Sequence, residues 1–229
     1  ISYMLKRIFD LFFAIILIII FLPILILFSI LIWKQDWSNP FYVAQRVGRK
    51  NRLFKMIKFR SMVVNADKSG VDSTSSNDTR ITPLGALIRK YKIDELPNFI
   101  NILFGQMSFV GPRPNVLTET KLYTIEEKNL LDVRPGITDL ASIVFSDEGD
   151  ILKNSIDPDL DYNQLIRPWK SRLGLFYIEN RSIILDIKLI IITAIAIISK
   201  KKALFMINRI LKNKKADDLL IKISKREKP

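Results

Sequence analysis

The 229-residue chain contains no cysteine and no histidine. The lack of cysteine excludes disulfides, thiolate metal sites and a cysteine nucleophile. The lack of histidine excludes a Ser-His triad and the commonest zinc ligand. Chemistry must therefore rest on Asp, Glu, Lys, Arg, Tyr and Ser. The carboxylates among these suit Mg²⁺, which takes hard oxygen ligands and keeps water sites that substrate phosphates can occupy.

Acidic residues are also in short supply, with 23 Asp and Glu against 36 Lys and Arg, a net charge of +13. Such a balance calls for an anionic partner, and nucleic acid, an acidic membrane surface and phosphorylated substrates all qualify. The length predicts one compact domain with appendages.

The longest uncharged run extends from Leu11 to Trp33, with basic residues on both sides. About 20 apolar residues can cross a bilayer of roughly 30 Å, so the run predicts a membrane segment. Pro23 lies near its middle, where it would either kink a spanning helix or let the chain turn back. Basic flanks on both sides favour both ends in the cytoplasm, but the run alone leaves both paths open.

Residues 46–60 carry seven basic side chains and no acid. A juxtamembrane patch that attracts anionic lipid explains the number of charges. Apolar residues such as Leu53 and Phe59 alternate with the cations as in a short strand or an interfacial helix, so some cations are expected to face a site. The polar stretch from Asn65 to Arg80 predicts a surface loop.

Two adjacent carboxylates, Asp94 and Glu95, precede an apolar segment. Thr82-Pro83 predicts a helix start that delivers Arg89 just ahead of the pair. Asp94 is the predicted N-cap of a second helix, from Glu95 to about Phe104, and ordinary capping is the alternative to a catalytic role. About twenty residues on, Arg113 stands between two prolines on a stiff backbone.

Six sequence motifs follow one another along the chain in the order found in one known protein family. They are KRIFD from Lys6, KFRSM from Lys58, ITPLGALIRKYKIDELPNFINIL from Ile81, MSFVGPRP from Met107, DVRPGIT from Asp132 and YIENRSIILDIKLIIIT from Tyr177. From Lys6 to Thr193 the chain resembles the bacterial sugar transferase family, the monotopic polyprenyl-phosphate phosphoglycosyl transferases. The resemblance covers more than three-quarters of the chain.

The resemblance implies transfer of a phosphosugar from a UDP-sugar to polyprenyl (undecaprenyl) phosphate with release of UMP. Asp94 would be the nucleophile, and Glu95 would assist catalysis and bind Mg²⁺. The matching cations Lys58, Arg89 and Arg113 would bind substrate phosphates. Membrane lipid is the third expected partner, nucleic acid is not expected, and a homodimer is compatible with the pattern. The implied location is the cytoplasmic face of the bacterial inner membrane.

The expected fold is a small α/β domain, predominantly helical with a small sheet, on a monotopic membrane protein. The expected segments are a re-entrant helix over residues 1–34 broken near Pro23, a catalytic domain over 35–186, and interfacial helices with a basic tail over 187–229. Within the last segment, residues 200–215 show a basic amphipathic pattern typical of a helix in the membrane interface or docked on a partner.

Several positions depart from the family pattern. Leu22 stands where many relatives have Ser before the proline, Asp139 to Phe145 replaces GLAQVNGR, and Gly174 replaces an acid three residues before Tyr177. Asp186 matches the family, and its role stays open between catalysis and structure. A catalytically silent membrane scaffold of the same fold and a membrane-tethered nucleic-acid-binding protein remain the alternatives.

Overall fold

The computed structural model describes residues 3–69, 74–75 and 77–226, and it is mostly helical with two small sheets. The longer helices are α1 (Tyr3–Asp36), α2 (Pro83–Lys90), α8 (Arg167–Asn180), α9 (Ile183–Ile198) and α10 (Lys200–Asn213). The shorter ones are α3 (Asn98–Leu103), α4 (Leu117–Thr120), α5 (Leu140–Val144), α6 (Glu148–Ile151), α7 (Pro158–Asp161) and α11 (Asp218–Ser224). The strands are β1 (Phe41–Val47), β2 (Leu53–Phe59), β3 (Ser108–Val110) and β4 (Gly136–Thr138).

Helix α1 contains the uncharged run and continues through Pro23 as one helical element. Among the described residues it is the one helix long and apolar enough to cross a membrane. The family resemblance implied a re-entrant helix broken near Pro23; α1 is helical on both sides of Pro23, and the re-entrant path stays a prediction. Ser29 donates a hydrogen bond to the Leu25 carbonyl, so this hydroxyl is used within its own turn.

One face of α1 packs on the rest of the protein on both sides of Pro23. Before the proline, Ala14 is buried in the main core, and Phe21 contacts Phe99 of α3. After it, Ile32 is buried in a smaller cluster with Phe59 and Ile88, the latter from α2. The opposite face exposes large apolar side chains, among them Ile15, Ile19, Ile26 and Ile30.

Strands β1 and β2 form an antiparallel hairpin in which Tyr42 lies opposite Lys58. Alternation in β2 buries Phe54 and Met56 in the main core, whereas Phe59, at the end of the strand, is buried in the smaller cluster with Ile32. The sequence allowed either a short strand or an interfacial helix around Leu53 and Phe59, and the structure has a strand there.

Strands β3 and β4 are parallel, and they fix the loop that carries Arg113. Gly111 donates to the Thr138 carbonyl at 3.0 Å, and Gly136 donates to the Pro112 carbonyl at 3.0 Å. A Cβ on Gly136 would lie 2.1 Å from the Gly111 nitrogen, so the close approach of these two segments requires glycine.

Helices α9, α10 and α11 close the C-terminal side of the main core. Ile207 and Leu211 of α10 are fully buried, and Leu204 and Ile210 pack against the same core. The buried part of the apolar face of α10 therefore packs on the chain itself, while Phe205 of the same helix is exposed, and a position of α10 in the membrane interface stays a prediction. Sequence periodicity marks an apolar face but does not say whether protein or lipid covers it.

Candidate active site

The carboxylate pair lies in a single 3-10 turn, Ile93–Glu95, between α2 and α3. The prediction of α2 is confirmed, since Thr82 caps its N-terminus by accepting a hydrogen bond from the Gly85 backbone. The prediction that Asp94 caps the next helix is wrong, because α3 begins only at Asn98 and Pro97 occupies its N-cap position. Proline fits the start of a helix, where its missing N–H costs no hydrogen bond.

The turn is set up by Lys92, which has a left-handed backbone conformation with φ 59°. The conformation is uncommon for a residue other than glycine and such strain concentrates at functional sites. It reverses the chain after α2, and the Lys92 carbonyl then accepts the Glu95 backbone N–H at 3.2 Å. Asp94 and Glu95 are each only 7% exposed as a result.

Two of the predicted cations converge on one oxygen of Glu95. Lys58 Nζ lies 2.8 Å from Glu95 Oε1, and an Arg113 terminal nitrogen lies 2.7 Å from the same atom. Lys58 arrives from β2 and Arg113 from the loop after β3. More than a third of the Arg113 side chain is exposed, so this guanidinium can also reach a bound anion.

Asn101 holds β2 against α3 and thereby positions Lys58. Its Oδ1 accepts the Ile57 backbone N–H at 3.0 Å, and its Nδ2 donates to the Lys55 carbonyl at 2.7 Å. The sequence analysis missed this residue. The available signal was an amide among the apolar residues of α3, since a polar side chain buried there needs a hydrogen-bonding partner.

The side chain of the third predicted cation, Arg89, forms no ion pair or hydrogen bond with another described residue, and its backbone carbonyl accepts the Lys92 N–H at 3.2 Å. Its charge is nevertheless close enough to Asp94 to oppose the rise in that carboxyl's pKa. Lys92 acts in the same direction on both carboxyls. Lys92 was not predicted as a site residue, although its position next to the acids was visible in the sequence.

The pKa values of the two adjacent carboxyls are shifted in opposite directions. Burial raises the pKa of Asp94, and the charge of Glu95 raises it further against the nearby cations. Burial alone would also raise the pKa of Glu95, but Arg113, Lys58 and Lys92 outweigh it and hold that pKa well below its ordinary value. Opposite shifts in neighbouring acids are a recurring feature of catalytic sites, because they separate the roles of the two groups.

Asp94 keeps an oxygen for a ligand. Its Oδ1 is buried and has no hydrogen-bond partner among the described residues. Two adjacent carboxylates, one with a buried unpaired oxygen, fit Mg²⁺, which proteins hold through one or two carboxylates together with substrate phosphates. No cluster of three or more acids that could hold a metal occurs in the described part of the chain, so water and phosphate would complete the coordination.

Asp186, whose role the sequence left open, lies outside this site in a buried junction. Its Oδ2 is 2.5 Å from Lys6 Nζ of α1, and its Oδ1 accepts the Tyr177 hydroxyl at 2.6 Å. The same hydroxyl also donates to the Val110 carbonyl at 3.2 Å. Asp186 thus ties α1, α8 and β3 to the start of α9, which is a structural role.

Gly174, which stands where several relatives have an acid, has a steric explanation in the structure. A Cβ at this position would lie 2.8 Å from a methyl group of Leu130 and 3.6 Å from Pro112. Leu130 fills the space that an acidic side chain would need. Any contact made through that acid in relatives therefore has no counterpart at this position.

Comparison with known proteins adds an independent line of information. A family model described as bacterial sugar transferase matches residues 1–200. A Bacillus subtilis (strain 168) protein named as a candidate undecaprenyl-phosphate N-acetylgalactosaminyl 1-phosphate transferase is 41% identical over 133 residues, 58% of this chain and 70% of that protein.

Two further relatives are longer proteins. The UDP-N-acetylgalactosamine-undecaprenyl-phosphate N-acetylgalactosaminephosphotransferase of Aeromonas hydrophila is 34% identical over 188 residues, 81% of this chain and 41% of its own length. The UDP-glucose:undecaprenyl-phosphate glucose-1-phosphate transferase of Klebsiella pneumoniae is 33% identical over 192 residues, 82% of this chain and 39% of its own length. This chain spans less than half of either relative.

Proposed function

The chain belongs to the bacterial sugar transferase family, and on that premise we propose that it transfers a sugar 1-phosphate from a UDP-sugar to undecaprenyl phosphate. The observation that carries the proposal is the Asp94–Glu95 turn, where one carboxylate is held ionised by two cations and its neighbour keeps an unpaired oxygen. Names of relatives that act on undecaprenyl phosphate support the same reaction.

In the first step, an Asp94 carboxylate oxygen bonds to the β-phosphorus of the donor. The bond from that phosphorus to the oxygen bridging the two phosphates breaks, and UMP leaves with the electron pair. The phosphosugar is then an acyl phosphate on Asp94. A carboxylate raised in pKa by burial is a stronger base and a stronger nucleophile once it is ionised.

In the second step, an oxygen of undecaprenyl phosphate attacks the same phosphorus. The bond to Asp94 breaks, the carboxylate is restored, and the product is a sugar attached to the lipid through a diphosphate. Division into two steps lets a water-soluble donor and a lipid acceptor use one site in turn. Lys58 and Arg113 would hold the phosphate oxygens, where fixed positive charge favours the transition state.

A bound Mg²⁺ would be held by Glu95 and the unpaired oxygen of Asp94, and it would neutralise charge on the diphosphate and its leaving group. The chain's own part is to keep Glu95 ionised at neutral pH. Without that charge, Lys58 and Arg113 would repel each other across a shared oxygen.

We further propose that α1 enters and leaves the membrane on the cytoplasmic side. Near its start, Lys6 pairs with Asp186, and Asp10 accepts hydrogen bonds from Ser108 and the Phe109 backbone. At its other end, Asp36 pairs with Arg60 just after β2. A helix that crossed the bilayer would hold its ends on opposite sides, about 30 Å apart.

This path can be tested because the chain has no natural cysteine. Single cysteines replacing Met4 and Gln35 should both react with an impermeant maleimide in inside-out vesicles and neither in right-side-out cells. Labelling of the two positions from opposite sides would show a spanning helix and overturn the proposed path.

The reaction is tested by UMP release from purified protein in nanodiscs with Mg²⁺. Without the lipid acceptor, the two-step route predicts a burst of about one UMP per protein and a mass increase of one phosphosugar on intact protein. Addition of undecaprenyl phosphate should remove the adduct. UMP release that strictly requires the acceptor would contradict the covalent step, and no release from any donor would favour the silent scaffold.

A further inference from the structure

A small cavity lies at the N-terminal end of α1. Its walls come from the first turns of α1, from β3, from the loop before β4 and from the end of α8. The described residues that line it include neither the carboxylates of the candidate active site nor the cations that contact them. The cavity volume is about 30 Å³, which is room for one group of the size of a water molecule.

Asp10 lines this cavity with a carboxylate that only neutral groups contact. The residue is 1% exposed. Its Oδ1 accepts hydrogen bonds from the Ser108 hydroxyl at 3.0 Å and from the Phe109 backbone N–H at 3.2 Å. Its Oδ2 is buried and has no hydrogen-bond partner among the described residues. Burial of a carboxylate without a counter-charge is costly, so the free oxygen indicates a ligand that brings a positive charge and an N–H donor.

The nearest lysine along α1 is already used elsewhere. Lys6, one turn before Asp10, lines the same cavity, but its Nζ lies 2.5 Å from Asp186 Oδ2. Lys6 therefore compensates the charge of Asp186. The charge of Asp10 is left for a group from outside the chain.

Two arginines line the cavity without an acidic partner among the described residues. Arg134 is held in place, since its Nε donates to the Gly105 carbonyl at 2.7 Å and its guanidinium carbon lies 4.7 Å from the centre of the Tyr3 ring. Arg181 is exposed at the end of α8, and its side chain makes no hydrogen bond or ion pair with another described residue. Guanidinium groups without a carboxylate suit phosphate, because their N–H donors match its oxygens.

The position of Asp10 along the chain indicates a lipid as the source of the ligand. Asp10 is the last charged residue before the uncharged run from Leu11 to Trp33. With that run in the membrane, the cavity lies at the depth of the lipid headgroups. A phosphate diester that ends in a primary ammonium has both of the groups that the cavity lacks. The ammonium fits the small space beside Asp10, and the phosphate stays outside with the exposed arginine.

We propose that this cavity binds the headgroup of phosphatidylethanolamine, with the ammonium on Asp10 Oδ2 and the phosphate beside Arg134 and Arg181. The inference rests on α1 lying in the membrane and does not depend on the transfer reaction. A lipid bound there holds the first turns of α1 at the level of the headgroups.

The first arm of the test compares two lipids that differ only in the methyl groups on the nitrogen. Delipidated protein in detergent is mixed with phosphatidylethanolamine or with phosphatidylcholine of the same acyl chains, and native mass spectrometry measures the bound lipid. Phosphatidylethanolamine should bind about tenfold more tightly, because phosphatidylcholine has no N–H to donate to Asp10. Equal binding would mean that water fills the cavity, and it would overturn the proposal.

Two further ligands separate other sources of similar chemistry. Phosphatidylglycerol ends in hydroxyl groups, and it should bind more weakly than phosphatidylethanolamine. Soluble phosphoethanolamine, added at the concentration of the lipid, should leave the lipid bound. Preference for phosphatidylglycerol would assign the cavity to an anionic lipid, and displacement by phosphoethanolamine would assign it to a soluble ligand. Either result would overturn the proposal.

The second arm uses Asp10→Asn, which removes the charge and keeps an oxygen for Ser108 and Phe109. Asp150→Asn, on an exposed part of α6, is the matched control. Asp10→Asn should reduce the preference for phosphatidylethanolamine to about twofold or less, and Asp150→Asn should leave it unchanged. Arg181→Gln should weaken both lipids alike, since both carry the phosphate. An unchanged preference in folded Asp10→Asn protein would contradict the assignment of Asp10.

Both arms measure lipid binding, so their outcome is independent of the proposed reaction. A protein that transfers no sugar should still prefer phosphatidylethanolamine. If Asp10→Asn fails to fold, the comparison of the two lipids on the unmodified protein still decides the proposal.

Discussion

Two buried carboxylates each pair with a lysine at a similar distance, since Asp186 Oδ2 lies 2.5 Å from Lys6 Nζ and Glu95 Oε1 lies 2.8 Å from Lys58 Nζ. The surroundings of the two pairs differ. At the junction, both oxygens of Asp186 have protein partners, Lys6 and Tyr177. At the candidate active site, Glu95 takes both cations on one oxygen, and Asp94 keeps a buried oxygen unpaired. A satisfied buried charge fixes a fold, whereas an unsatisfied one stores free energy that a ligand can release. The difference lies in partners and not in residue type.

The strongest test of this comparison is Asp94→Asn. We expect UMP release to fall at least about 10³-fold, because an amide cannot form the acyl phosphate. Stability at neutral pH should rise or stay constant, since a buried charge that opposes its own ionisation is removed. Activity assays and urea unfolding in the same detergent provide the measurement. Retained activity would remove Asp94 from the mechanism.

The next largest effect is expected from Glu95→Gln. Loss of this charge leaves Lys58 and Arg113 beside each other without compensation and removes a candidate metal ligand. Activity should fall about 10²-fold, and the Mg²⁺ concentration for half-maximal activity should increase. Glu179→Gln, on an exposed part of α8, is the matched control and should match the unmodified protein. An unchanged Mg²⁺ requirement would contradict the metal assignment.

Asp186→Asn should have the opposite profile to Asp94→Asn. The variant leaves the ammonium of Lys6 without its counter-charge, while the amide oxygen can still accept the Tyr177 hydroxyl. Because Lys6 is 19% exposed, we expect a loss of about 2 kcal/mol, less than for a fully buried pair. Denaturant unfolding measures this loss. A large fall in kcat of the folded fraction, with stability unchanged, would give Asp186 a catalytic role.

The smallest expected effect is a shift of the acid limb of the pH profile. Catalysis needs ionised Asp94, whose pKa is raised by burial and by Glu95. Activity should therefore decline, as pH falls, at a higher pH than the ordinary aspartate value of about 3.9. Glu95 should contribute no limb in this range, since its pKa is held well below normal. The pH dependence of kcat/KM at Mg²⁺ concentrations well below half-saturation, where the Asp94 carboxyl of the free enzyme carries no metal ion, checks the sign, and a limb below pH 3.9 would contradict it.

Local features of the fold were predictable because they depend on neighbouring residues alone. Thr82-Pro83 starts α2 as its capping chemistry requires, and the uncharged run lies within α1. Motif order also identified the residues near the site, since Lys58 and Arg113 do meet Glu95. Each of these follows from a local rule or from a shared pattern.

Other features were decided by contacts between distant segments. Asp94 looked like a helix cap, but the left-handed Lys92 places it in a separate turn before α3. The sequence marked an apolar face on α10, and it is the contacts with α5, α9 and α11 that bury Ile207 and Leu211 of that helix.

By itself, the sequence determined the residue types available for chemistry, the apolar run and the family pattern, because composition and motif order are properties of the chain. Tertiary structure decided which carboxylate is satisfied and which keeps a free oxygen. Asp186 and Asp94 are residues of the same type, so the free energies of their charges differ only because their neighbours differ. The neighbours are Lys6 and Tyr177 for Asp186, and Glu95 for Asp94.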